Sequence, residues 1–168
     1  MSTPTQNVSQ ERLVQDTNAL LRMLAQGGTI GGLMSLDERE LEALYAFGLS
    51  HYQHARWTDA MKIFSRLVML AHGEPRYLNA LASCHQMMGQ HERAVHYWGV
   101  SQLLDARDPV PTFHTANSLL ALGLVADALD ALELVLRQCR EQGGHAELAA
   151  RAQALLTLIQ SKAAAQAR

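Results

Sequence analysis

Ala60, Ala94 and Ala128 stand 34 residues apart, and the same period carries over to their neighbours. Gly48 aligns with Ala82 and Ala116, and Ala55 with Gly89 and Gly123. Phe64 aligns with Trp98 and Leu132, Leu44 with Leu78 and Thr112, and Phe47 with Leu81 and Thr115. Leu70 and Leu104 match, with Gln138 in the third copy, while Pro75 and Pro109 are again 34 apart. Small and large apolar columns agreeing at one period mean that a single supersecondary unit is used three times. The third copy, with Thr112, Thr115 and Gln138, is the most degenerate.

The unit is helical. Ala, Leu, Met, Gln and Glu dominate from residue 37 to about 139, and no alternating strand pattern persists. Helix–turn–helix units of 34 residues with these columns resemble tetratricopeptide repeats, so the expected fold is all-α: three repeats in a short superhelix with a concave and a convex side. Helices are predicted at 37–53, 57–71, 75–88, 91–104, 109–122 and 125–139, giving repeats at 41–74, 75–108 and 109–142. Pro75 and Pro109 fall in first helical turns, where a missing N–H costs little. Ser35 with Glu38 fits a capping box. A loose tail is expected at 1–8 and one helical repeat domain at 9–168, with flanking helices at 9–25 and 145–166 over the ends of the stack. Four glycines at 27–32 weigh against helix and read as a bend. A phosphate loop there would need a preceding strand and a GK[ST] ending, and has neither.

Composition narrows the function. With 168 residues, 48% of them apolar and 18% charged, the chain can bury a real core. Lys plus Arg number 14 against 16 Asp plus Glu, a formal charge of −2 that argues against a nucleic-acid binder. No run approaches the roughly 20 apolar residues that span a bilayer. Cys84 and Cys139 are too few for a disulfide framework, and both read as reduced thiols in a cytosolic protein. The opening residues 1–7 show no basic and apolar leader pattern.

No catalytic or metal constellation emerges, and no cofactor is implied. His51 and His85 occupy one repeat column, and none of the eight histidines sits in an HExxH frame. There is no GxSxG elbow, and a cysteine in a helical repeat is usually a small hydrophobe. Trp57, Trp98, Met61, Met69 and Met88 lie at helical spacing and read as core. Met87 borders the expected groove, and methionine adapts to varied partners.

In such repeats the first helix of each pair lines the groove, and residues spaced four then three share a face. These are Tyr45, Leu49 and Tyr52, then Asn79, Ser83 and Gln86 with Met87 beside them, then Phe113, Asn117 and Leu120. None is Lys or Arg, which disfavours gripping a C-terminal carboxylate. Rings and neutral amides suit an extended apolar peptide, its anchors in pockets and its backbone on Asn and Gln. Alternatively, Tyr45, Leu49 and Tyr52 pack against the N-terminal helix.

Several local motifs carry a further resemblance. Gly27-Gly28-Thr29-Ile30, Leu44-Tyr45, His51-Tyr52-Gln53 and Trp57-Thr58-Asp59-Ala60 belong to it. So do Cys84-His85-Gln86-Met87-Met88-Gly89-Gln90, Ala94-Val95-His96-Tyr97, Pro111-Thr112-Phe113-His114 and Leu119-Leu120. Over residues 10–160 the chain resembles the class II chaperones of type III secretion systems, which hold hydrophobic translocator proteins. The resemblance implies a bacterial cytoplasmic chaperone without enzymatic activity. Its groove takes an extended segment near a translocator's N-terminus, with Tyr45, Leu49 and Tyr52 as pocket walls and the second repeat's first helix continuing the site. It also implies a homodimer, formed partly through the N-terminal helix, and in some members a transcription activator as a second partner. Trp57 and Trp98 depart from the pattern by replacing smaller rings, and Leu49 by standing where an aromatic is frequent. Translocators carry long apolar segments that aggregate or insert too early unless covered. A tetratricopeptide scaffold for a secretion apparatus, and a regulatory cofactor of a transcription activator, are the competing functions.

Overall fold

The computed structural model describes residues 22–23, 26, 28–33 and 36–166. The expected tail at 1–8 and most of the expected helix at 9–25 lie outside the described residues; Arg22 and Met23 are helical. The elements are α1 (Ile30–Leu33), α2 (Glu38–Gln53), α3 (Trp57–Leu70), α4 (Pro75–Met87), α5 (His91–Leu104), α6 (Pro109–Ala121), α7 (Val125–Gln142) and α8 (Ala146–Gln166). All regular structure among the described residues is helical. From α2 to α8 each helix packs on its neighbours in the chain, and α2 also touches α4, so alternate helices share the inner side.

The repeat columns become the core. Ala60, Ala94 and Ala128 are wholly buried, as are Phe64, Trp98 and Leu132 to within 2%. Gly48, Ala82 and Ala116 are buried where helices cross; a Cβ on Gly48 would stand 2.5 Å from Phe64 Cε1. α8 completes the third cluster by burying Ala152 and Leu156 against Leu132, Val135 and Cys139. Two columns break: Phe47 is 56% exposed on the outermost repeat where Leu81 is buried, and Leu104 is exposed where Leu70 and Gln138 are buried.

The degenerate third copy is filled by other means. Gln138 takes the place of Leu70 and is buried, its Nε2 donating to Ala106 O at 2.8 Å and tying α7 to the loop between α5 and α6. α7 also runs three residues past its expected end at 139, stopping where Gly143 takes φ 69°.

Helix starts follow the sequence with one correction. Asp37, not Ser35, caps α2: its Oδ1 accepts from Glu40 N at 2.8 Å while Asp37 N donates to Glu40 Oε2 at 3.0 Å. Ser35 lies outside the described residues. Glu74 and Asp108, both preceding a proline, cap α4 and α6.

The glycine-rich break is a second correction. Instead of a plain bend it holds the single turn α1, with Gly27 outside the described residues. Gly31 is buried there, and a Cβ on it would lie 3.0 Å from Leu70 O. The glycine serves a close approach to the end of α3.

The three intra-repeat turns share one geometry. Ala55 N donates to Tyr52 O and Arg56 N to His51 O, and Gly89 with Gln90 and Gly123 with Leu124 repeat both bonds. The pivots have positive φ: 57° at Ala55, 70° at Gly89 and 76° at Gly123. A side chain in this region costs about 1–2 kcal/mol, while glycine has more entropy to lose on folding. Gly89 and Gly123 stand in open space. Gly89→Ala is therefore expected to lower stability by about 1 kcal/mol and Ala55→Gly to raise it by about 0.5 kcal/mol, as read by urea midpoints.

Candidate functional site

A cleft of about 290 Å³ opens on the inner side, walled by α2, α4 and α6 and floored by Phe64 of α3 and Trp98 of α5. Helical spacing builds it. Tyr45, Leu49 and Tyr52 come from one face of α2; Arg76, Asn79, Ala80 and Ser83 from α4; Val110 and His114 from α6.

Five sequence-predicted residues, Tyr45, Leu49, Tyr52, Asn79 and Ser83, are brought together here. The remaining five do not line it. Phe113 is 4% exposed, buried in the third core cluster beneath the Arg151 guanidinium at 5.0 Å. Asn117 is half-buried and does not line the cleft. Gln86 points its Nε2 at His114 O, 3.5 Å away, and Met87 is exposed at the end of α4. Leu120, on the same expected face as Phe113, does not line the cleft either.

The expectation of a cation-free groove is corrected by Arg76. Its Nη2 donates to Glu42 Oε1 at 2.7 Å and its Nε to Glu74 Oε1 at 3.2 Å. The guanidinium also lies over Tyr45 and Tyr77, at 5.5 and 5.7 Å from the ring centroids. These hydrogen bonds, first Glu42 and then Glu74, hold its pKa above the ordinary arginine value. Two carboxylates around one cation leave the lip with a net negative charge, so it offers no grip for a free carboxylate. The cation instead clamps the Tyr45 ring, which also packs against Phe64 and Tyr77 at 5.7 and 5.4 Å.

The rest of the wall is neutral. Burial raises the pKa values of Tyr45 and Tyr52 above that of a free phenol, so both stay protonated. His114 stacks on Trp98 at 4.8 Å and 14°, and burial, reinforced by Arg151, lowers its pKa below 6.5. A lowered histidine pKa makes the unfolded chain the better proton acceptor as pH falls through 6.5, so stability declines there. His114→Asn is expected to flatten the pH slope of urea stability below 6.5.

His85 and the two thiols are packed into the fold. His85 is buried, with its Nδ1 2.7 Å from Gln90 Oε1 and its ring stacked on Tyr97. Cys84 is buried and its thiol is pushed up to about 12 by that burial. Among the described residues no group of three or more His, Cys, Asp or Glu could hold a metal, and no helix is long and apolar enough to cross a membrane.

Comparison with known proteins places this arrangement. The family model described as anaphase-promoting complex, cyclosome, subunit 3 matches residues 53–135. Low calcium response locus protein H of Yersinia pestis is 33% identical over 144 residues, 86% of this chain and 86% of that protein. The type III secretion translocator chaperone SycD of Yersinia enterocolitica is 32% identical with a TM-score of 0.75, covering 79% of this chain and 98% of that one. The chain belongs to the type III secretion translocator chaperones. PcrH of Pseudomonas aeruginosa, in complex with the chaperone binding region of PopD, is similar to this chaperone at 37% identity. That match has a TM-score of 0.73 and covers 76% of this chain and 96% of PcrH. PcrH has also been solved with the chaperone binding region of PopB, and SycD with a peptide of the translocator YopD and as an alternative dimer. The tetratricopeptide-type fold expected from the repeat is therefore the fold of this chaperone's family.

Besides the floor residues Phe64 and Trp98, which the sequence places in the repeat core, four members of the cleft are not among the groove residues read from the sequence: Arg76, Ala80, Val110 and His114. A signal for them existed: Arg76 and Val110, like Ala80 and His114, are 34 apart and form two further columns.

Proposed function

We propose that this protein is a cytoplasmic secretion chaperone that binds an extended N-terminal segment of hydrophobic type III translocators in the inner cleft. It keeps them soluble and apart before secretion. The supporting observation is the cleft itself: rings and aliphatic chains for walls, two phenols and a histidine held neutral, and its one cation already paired. Such a surface takes apolar anchors and an extended backbone and does not select for charge. Tyr45, Leu49, Tyr52, Asn79 and Ser83 are the residues assigned to contact, joined by Arg76, Trp98, Val110 and His114. Capture is binding alone, with no reaction and no cofactor. The helical repeat unit pairs as a homodimer, as the SycD dimer suggests.

Fluorescence anisotropy with labelled peptides from the chaperone binding regions of PopD and PopB tests this reading. Saturable binding of either, displaced by the unlabelled peptide, is the expected result. No binding of either to protein shown to be helical by circular dichroism would overturn the cleft assignment and favour a scaffold working through its outer surfaces.

A further inference from the structure

Two buried polar atoms of the cleft residues have no hydrogen-bond partner among the described residues: the Asn79 side-chain oxygen Oδ1 and the Trp98 indole Nε1. Trp98 is 2% exposed. Leaving a buried donor or acceptor unmatched is costly, and native structures keep few of them. The other unmatched buried side chains, such as Ser101, Thr112 and Ser118, do not line the cleft. Two neighbouring polar groups of the cleft are already engaged. Ser83 Oγ donates to Asn79 O at 2.8 Å, and Arg76 is held by Glu42 and Glu74.

The unmatched pair is complementary. Indole N–H can only donate, and an amide oxygen can only accept. A carboxylate would satisfy the indole and be repelled by Oδ1; an ammonium would do the reverse. An amide carries both an acceptor and a donor without charge. We propose that Asn79 and Trp98 read one amide group of the bound segment: Trp98 Nε1 donates to its carbonyl, and its N–H donates to Asn79 Oδ1. This rests on the binding function proposed above and adds to it a fixed register, because one amide of the segment must sit between α4 and α5. The amide comes either from the segment's backbone or from an Asn or Gln side chain.

The test uses the full chain, labelled with 15N at indole nitrogens, and a peptide of the PopD chaperone binding region. Trp57, the second of the two tryptophans, does not line the cleft and serves as the internal reference. On saturation the Trp98 Nε1–H resonance is expected to move downfield and its hydrogen exchange to slow, while that of Trp57 holds. Asn79→Leu is expected to weaken peptide binding roughly tenfold with Tm equal to or above that of the wild type, since an unmatched oxygen is removed from the empty protein. A purely structural role for Asn79 would instead lower Tm together with affinity, and that outcome overturns the proposal. Single backbone ester replacements along the peptide, set against Asn or Gln to Ala changes, identify the amide: the one that removes the difference between wild type and Asn79→Leu is its source. If the peptide binds with the Trp98 resonance unmoved and Asn79→Leu unaffected, the amide reading fails and the chaperone function stands. If the wild-type protein does not bind the peptide, both fall.

Discussion

Replacing Tyr45 and Tyr52 together by alanine is expected to weaken binding of a PopD segment by at least about thirtyfold, equivalent to about 2 kcal/mol. The two rings stand on one face of α2 and form its wall of the cleft. Buried tyrosines in a peptide groove are typical hot spots, each worth about 2 kcal/mol or more, and neighbouring losses are not additive. Tyr45 also packs on Phe64 and Tyr77 and under Arg76, so its removal loosens the first repeat. Tyr45→Phe separates the two effects. It keeps the stack and the wall and loses only the hydroxyl, so it should bind within a few-fold of wild type by the logic of ring burial. Anisotropy titration beside circular dichroism reads both. A double variant that remains helical and binds unchanged would move the site off α2.

Phe64→Ala is expected to cost about 3–5 kcal/mol, a large share of the 5–15 kcal/mol that typically separates folded from unfolded chains. Phe64 is wholly buried, fills the space that Gly48 leaves free, touches the Tyr45 ring and floors the cleft. Its loss empties the first core cluster at the point where α2, α3 and α4 meet. For a chain of this size the Tm should fall by roughly 10 °C. Phe64→Leu, which keeps most of the volume, should fall by less than half of that. A drop of only a degree or two for Phe64→Ala would mean that the first repeat is held by something other than this cluster.

The repeat made most of the fold legible. Five helix pairings follow from columns such as Ala60, Ala94 and Ala128, because a small residue at a crossing and a large one beside it leave one way to stack. What the columns could not convey is where a cleft between stacked helices lies. Tyr45 and Leu49 occupy the columns of Asn79 and Ser83, yet α6 meets the cleft through Val110 and His114, the columns of Arg76 and Ala80. A cleft sees the facing flanks of its two outer helices, and only the middle one, α4, shows both sets. Extending one column to Phe113 and Asn117 therefore landed on the far flank, where Phe113 belongs to the next cluster. Arg76 escaped notice for the same reason, since its partner Glu42 is one full period earlier and the pair becomes visible only once α2 and α4 are stacked. The capping error at Ser35 had a simpler cause: Asp37 offers the same chemistry two residues later, and a carboxylate accepts from an N–H more strongly than a hydroxyl does.

Every helix from α2 to α8 rests on its neighbours in the chain. A chain whose partners are always close in sequence closes short loops, and such topologies assemble quickly. The first two repeats already hold Tyr45, Leu49, Tyr52, Asn79, Ser83 and Trp98, so most of the cleft can form before the last third of the polypeptide has left the ribosome. The proposed peptide-binding surface is thereby largely complete early in the chain's own synthesis.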